Sequence, residues 1–271
     1  MNFSALWRRI WRAAVWLVVV YAGLLALLWW AQEKLLFLPT VLPQDHRFAV
    51  AADVHEAWVE VQGARLNALH LRLPKPEGVV LFLHGNAGSL DNWFAHLGPY
   101  RQANMDLFMI DYRGYGKSSG RISSEAQLHA DVLAAWQHIA PRYEGLRRVV
   151  LGRSLGTGMA AHLAAQVQPE LTVLVSPYSS MQALAKEIYP WVPSALMRYP
   201  LRTDLALPRI GGEIWMAHGE RDRLIPAAHA KTLQALAPRA QLLLLPQAEH
   251  NDIHLWPAYA ATLQQVLQLQ R

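Results

Sequence analysis

Apolar positions follow two different patterns along the chain. From Ala13 to Trp30 the sequence "AAVWLVVVYAGLLALLWW" carries no charge, and eighteen helical residues at 1.5 Å rise cover about 27 Å. From about residue 57 onward, apolar residues come in short runs separated by longer stretches with helical spacing. "AWVEVQ" (57–62) and "RLNALHLRL" (65–73) alternate in and out around Gly63, as an antiparallel hairpin does. Six near-continuous runs follow: "GVVLFLHG" (78–85), "DLFMIDY" (106–112), "RVVLGR" (148–153), "LTVLVSP" (171–177), "EIWMAHG" (213–219) and "QLLLLP" (241–246). A strand apolar on both sides is buried on both sides, which predicts a parallel sheet covered by helices. Helical patterns fill the intervals at 90–103, 123–139, 155–167, 227–236 and 254–269. The expected fold class is therefore α/β: an eight-stranded, mostly parallel, doubly wound sheet with helices on both faces.

Domain organisation follows from the same pattern. Residues 1–31 form a candidate membrane segment, 32–56 a connector with Pro39, Pro43 and the polar run Gln44–Arg47, and 57–271 one domain. No repeat or second linker interrupts it. Residues 177–212, between the sixth and seventh strands, hold Tyr178, Tyr189, Trp191 and Tyr199 among Met and Leu residues. This segment predicts a small helical cap, with Tyr178, Tyr189 and Trp191 as candidate walls of an apolar substrate pocket. Ordinary packing of a short insertion gives the same pattern.

Charge sharpens the amino-terminal reading. Of the net +5, three charges belong to Arg8, Arg9 and Arg12, and no acidic residue occurs before Glu33. Arginines before an uncharged block, with Trp11 at one end and Trp29-Trp30 at the other, predict an uncleaved signal anchor with its short tail in the cytoplasm. The bulk of the chain is then expected outside the membrane, in the periplasm if the cell is bacterial. A cleaved leader would have a shorter apolar core ending in small residues, and the three arginines directly before the block favour a membrane over the third reading, a buried core helix. The remaining 241 residues carry about two net charges and no lysine-arginine run, so a nucleic-acid partner is not expected. A hydrophobic fraction of 53% excludes a disordered chain, and the absence of cysteine excludes disulfide or thiol chemistry.

Candidate chemistry gathers after the strands, where open α/β sheets bind their ligands. Gly152-Arg153-Ser154-Leu155-Gly156 sets a serine where a strand stops and a helix begins, a tight turn that thrusts the side chain outward. Asp222 lies in the loop after the seventh strand and His250 after the eighth. A free serine hydroxyl is a poor nucleophile until an adjacent base takes its proton, and that base needs an acid to fix its tautomer. Ser154, His250 and Asp222 are the candidates for these roles. Asp204 and Asp252 are alternatives for the acid, and His254 is the rival base.

The segments "HGNAGS" (84–89), "DYRGYGKSSG" (111–120), "GRSLGTG" (152–158) and "HGERDRLIP" (218–226) resemble the α/β-hydrolase superfamily. In particular they are similar to its single-pass, membrane-anchored serine hydrolases of the bud-emergence type. The order Ser…Asp…His is the chain order of that superfamily's triad. The resemblance implies hydrolysis of an acyl ester, thioester or amide through an acyl-enzyme, with no metal or organic cofactor. An oxyanion would need preorganised donors: the Leu155 N–H at the start of the helix after the nucleophile, and the Asn86 N–H in the loop after the third strand. Neither the phosphate-loop pattern nor an H-E-x-x-H zinc motif is present. The expected activity is a membrane-anchored serine hydrolase acting on an acyl-ester or lipid-like small molecule. A serine peptidase and an inactive binding or scaffold module are the competing expectations, and oligomeric state is left open.

Overall fold

The computed structural model of the protein describes residues 3–268. Eight strands form the central sheet: β1 (Val54–Val61), β2 (Ala64–Leu71), β3 (Gly78–Leu83), β4 (Met105–Ile110), β5 (Arg147–Arg153), β6 (Leu171–Val175), β7 (Glu213–Gly219) and β8 (Gln241–Leu245). Their spatial order is β8-β7-β6-β5-β3-β4-β2-β1. β2 pairs antiparallel with β1 and with β4, and the remaining pairings are parallel. The eight expected strands are thus present in the expected mixed sheet.

β3 illustrates why the runs read as continuous. Val79, Leu81 and Leu83 join the core on one face of the sheet, with α4 (Glu125–Ile139) and α5 (Gly156–Val167). Val80 and Phe82 join the core on the other face, with Tyr100 of α3 (Gly98–Gln102) and with Tyr259, Leu263 and Val266 of α9 (Pro257–Gln268). All five β3 side chains are nearly inaccessible, and each such burial stabilises the fold by about 1.5–3 kcal/mol.

Several boundaries move for identifiable reasons. The single helix expected at 90–103 is two short ones, α2 (Leu90–Trp93) and α3. They are separated at His96, whose φ of 53° is left-handed, and by Pro99. α4 begins at Glu125 because the Ser124 side chain caps it, accepting the Gln127 N–H at 3.1 Å. The last helix starts at Pro257 rather than at residue 254, behind a 3-10 turn over Ile253–Leu255. Residues 177–212 carry α6 (Met181–Ile188), a 3-10 turn at Ser194–Leu196, α7 (Thr203–Ala206) and a second 3-10 turn at Leu207–Arg209. α8 (Ala228–Leu236) lies between β7 and β8.

The amino-terminal helix α1 runs from Phe3 to Leu36, past the expected start of the connector at residue 32. Among the described residues it is the one helix long and apolar enough to cross a membrane, and its most apolar stretch is unburied. Its last turns are tied to the domain. Arg198 and Tyr199 both bind Glu33, the latter through its hydroxyl at 2.8 Å, and Phe37 packs edge-on against the Tyr199 ring. The connector then contributes a two-residue strand, Leu38–Pro39, parallel to Ala87–Gly88. This small sheet has no alternating signature in the sequence.

Candidate active site

Sheet topology builds the site. β3 sits between β4 and β5, so the chain reverses its direction of travel across the sheet between β3 and β5, and such a switch point opens a crevice at the carboxyl ends of the strands. Leu83 of β3 is level with Gly152 of β5, and Gly219 of β7 with Leu245 of β8. The loops carrying His84–Ser89, Ser154, Asp222 and His250 therefore leave the sheet on the same edge.

Ser154 has a φ of 53°, a left-handed conformation that costs a non-glycine residue energy and is kept only where its surroundings fix it. The Ser154 N–H donates to Val175 O at 2.9 Å, and Ser154 O accepts from the Thr157 N–H at 2.9 Å, closing the turn into α5. The flanking glycines are required by close approach. A Cβ on Gly156 would lie 2.0 Å from Leu83 O, and one on Gly152 would lie 2.5 Å from Gly156 O.

The three candidate side chains meet. The Ser154 hydroxyl donates to His250 Nε2 at 2.9 Å, and His250 Nδ1–H donates to Asp222 Oδ2 at 2.6 Å. Asp222 Oδ1 accepts the Leu224 N–H at 2.9 Å and the Ile225 N–H at 2.8 Å. Burial alone would push the Asp222 carboxyl up. Hydrogen bonds from His218, His250 and the Ile225 N–H outweigh it and hold the group well below the usual carboxylate range. The site thus holds a permanent carboxylate against an imidazole whose free nitrogen faces a serine hydroxyl.

The rival residues are engaged elsewhere. Asp204 pairs with Arg202, and Asp252 accepts the Glu249 N–H at 2.7 Å within its own loop. His254 lies against the Arg153 guanidinium and the His96 ring; burial first, then those two neighbours, lower its pKa to about 4.

Two neighbours of the triad were not among the expected site residues. His218 is fully buried, donates through Nε2 to Ile225 O at 2.8 Å, and flanks Asp222 Oδ2 at 3.4 Å. Its signal was its position at the end of β7, in the same "HGERD" stretch as Asp222. Arg153, the residue just before the serine, lays its guanidinium over Trp93 and donates to the carbonyls of His250 and Asn251, each at 3.3 Å. Burial lowers its pKa, opposed by Tyr259, Tyr100, Asp222 and Asp252. No sequence signal marks it, because that position of the motif is open to any residue.

Leu155 N–H and Asn86 N–H donate no hydrogen bond among the described residues. Asn86 O accepts from the Leu38 N–H at 2.8 Å and from the Tyr115 hydroxyl at 2.6 Å, so connector and "DYRGYG" loop together hold the peptide that follows Asn86, next to the one that carries its N–H.

The expected aromatic pocket is corrected in part. Tyr178 is fully buried, and its hydroxyl donates to Leu155 O at 2.9 Å, so it packs beneath the turn instead of facing a substrate. Tyr189 and Trp191 are about half exposed, on the edge of the cap beside α1. Among the described residues no group of three His, Asp or Glu side chains is arranged to hold a metal ion.

Over 212 residues the chain is 31% identical to alpha/beta hydrolase domain-containing protein 17B of Xenopus laevis, spanning 75% of this chain and 71% of that protein. The chain belongs to the α/β-hydrolase superfamily. A family described as serine aminopeptidase S33 matches residues 74–205. An uncharacterised protein of Mycobacterium tuberculosis is 29% identical over 248 residues, 88% of this chain and 86% of that one. Among solved structures, an esterase of Pyrococcus furiosus superposes with a TM-score of 0.67 at 16% identity, over 86% of this chain and 97% of that one. That likeness is one of fold. As an α/β hydrolase, the protein carries its strained serine turn between β5 and α5, on the crevice edge of the sheet.

Proposed function

We propose that this hydrolase is a serine hydrolase that cleaves acyl esters or thioesters, held on a membrane by α1. The observation that carries the reading is the hydrogen-bonded chain from Ser154 through His250 to the ionised Asp222. In the reaction, Ser154 Oγ attacks the acyl carbon while its proton passes to His250 Nε2. The Leu155 and Asn86 N–H groups receive the oxyanion, aided by the positive end of α5. Collapse of the intermediate breaks the bond to the leaving group, which departs with the proton from His250. Water then attacks the acyl-enzyme, His250 taking its proton and returning it to Ser154. No metal or organic cofactor enters this scheme.

The membrane reading draws on α1, with arginines at one end and a tryptophan pair at the other. The positive charge favours a short tail in the cytoplasm and the catalytic domain on the far side, periplasmic in a bacterium. The matched family's description favours a second reading, in which the acyl group cleaved is a peptide amide.

A fluorophosphonate probe decides whether the serine is activated, because such probes phosphonylate activated hydroxyls, with fluoride leaving, and spare ordinary ones. One labelled serine, lost in Ser154→Ala with an unchanged circular dichroism spectrum, is the expected result. Labelling that persists in Ser154→Ala overturns it. Turnover of matched ester and anilide substrates then separates esterase from peptidase.

A further inference from the structure

Cap and membrane helix touch at an unexpected depth. The Tyr21 hydroxyl of α1 donates to Trp191 O at 2.7 Å, and Gln32 Nε2 donates to Leu196 O at 2.8 Å. Tyr21 lies nine residues before Trp30, the end of the uncharged block, which is about 13 Å along a helix axis and close to half a hydrocarbon core. Arg8, Arg9 and Arg12 close the other end, so no run of eighteen uncharged residues in α1 avoids Tyr21. If α1 spans the bilayer, the cap tip around Trp191 therefore lies inside the leaflet nearest the domain.

The chemistry of the tip fits that position. Ile188, Tyr189 and Trp191 are 54%, 53% and 46% exposed, apolar surface that water disfavours. Its irregular backbone is largely closed, as hydrocarbon demands. Tyr189, Val192, Leu196 and Met197 donate their N–H groups within the segment, and Pro190 and Pro193 have none to offer. The carbonyls of Trp191 and Leu196 are capped by α1 side chains. Between tip and helix runs an apolar groove of about 370 Å³, walled by Leu28, Leu36, Leu184, Ala185 and Met197, within the size range of small-ligand sites. α6 begins at Met181, shortly after Val175, whose carbonyl holds the Ser154 N–H, so groove and nucleophile hang on one short stretch of chain.

We propose that this groove binds one acyl chain of a bilayer lipid, taken sideways from the leaflet. The inference rests on the reading that α1 crosses the membrane, and it makes the substrate of the same site a membrane lipid or a lipidated molecule. The experiment uses the full chain in phosphatidylcholine vesicles containing a trace of phosphatidylcholine with a photoreactive diazirine in its acyl chain. After irradiation, peptide mapping reads where the label sits. Label on residues 181–197 as well as on 13–30 is expected. Ala185→Trp, which fills the groove, should lower the cap label at least fivefold and leave the α1 label unchanged.

Label on α1 without label on the cap overturns the proposal, as does cap label indifferent to Ala185→Trp. Absence of label on α1 overturns the membrane reading itself, and the groove falls with it. A second measurement guards against a misfolded groove variant. The chain has no cysteine, so Tyr189→Cys carries a single bimane fluorophore in the vesicle-bound protein. Quenching by doxyl-labelled lipid is expected; quenching by aqueous iodide instead refutes insertion of the cap.

Discussion

Asp222→Asn tests the proposed charge chain with little change of shape. Two backbone donors, the N–H groups of Leu224 and Ile225, hold Asp222 Oδ1 at 2.9 and 2.8 Å. They fix the amide of the variant, because only its oxygen accepts them. The new NH₂ must then occupy the place of Oδ2 and face His250 Nδ1, now 2.6 Å from that oxygen. Two donors cannot share that contact, so the imidazole takes its proton on Nε2 and presents N–H to Ser154 Oγ at 2.9 Å. The lone pair that should accept the serine proton is gone. Loss of the correct tautomer in a Ser-His-Asp triad costs about 10³–10⁴ in turnover, or about 4–5.5 kcal/mol of barrier at 1.36 kcal/mol per tenfold. The fold should survive, since both backbone bonds remain and His218 keeps its bond to Ile225 O at 2.8 Å. The assay is the fluorophosphonate labelling rate, which needs no knowledge of the substrate, paired with thermal melting by circular dichroism. Asp252→Asn is the control, because an amide oxygen still accepts the Glu249 N–H. A labelling rate for Asp222→Asn within tenfold of wild type would refute the reasoning.

Three further outcomes are expected. Arg153→Met releases the carbonyls of His250 and Asn251, contacts at 3.3 Å each, and should slow labelling about tenfold or more, since charge-assisted hydrogen bonds contribute about 1.5–3 kcal/mol; stopped-flow labelling reads it. A variant beginning at Gln32 keeps Glu33 and Leu38 and should match the full chain on a short water-soluble ester, whereas one beginning at Thr40 loses the Leu38 N–H bond to Asn86 O, which anchors the loop carrying the Asn86 N–H, and should fall about tenfold; kcat/KM on the ester separates them. His254 is half-buried with its pKa lowered from 6.5 to about 4, so between those values the unfolded chain binds the extra proton and stability falls as pH drops. Urea unfolding at pH 7 and pH 5 should show a smaller loss for His254→Gln than for wild type.

Periodicity in the sequence determined the eight strands: alternation marked the hairpin β1-β2, and the other six read as apolar runs because a strand buried on both faces is largely apolar, as Val79 to Leu83 are. It also determined the serine turn. The left-handed φ of Ser154 and the close approaches at Gly152 and Gly156 admit few residue types, and those types are visible as letters. Asp222 and His250 were legible as candidates by their place after strands, but so were Asp204, Asp252 and His254. Only the register of β5, β7 and β8 decided among them, by bringing residues 68 and 96 positions away from Ser154 onto one edge. Arg153 and the Leu38–Asn86 pairing were invisible in the sequence. Each acts across a long separation along the chain, and such contacts impose no period and no motif on it. Likewise composition alone gave Tyr178, Tyr189 and Trp191 the same status. The tertiary structure separates them, because the Leu155 carbonyl takes the hydroxyl of the first and the face of α1 takes the edge of the cap that carries the others.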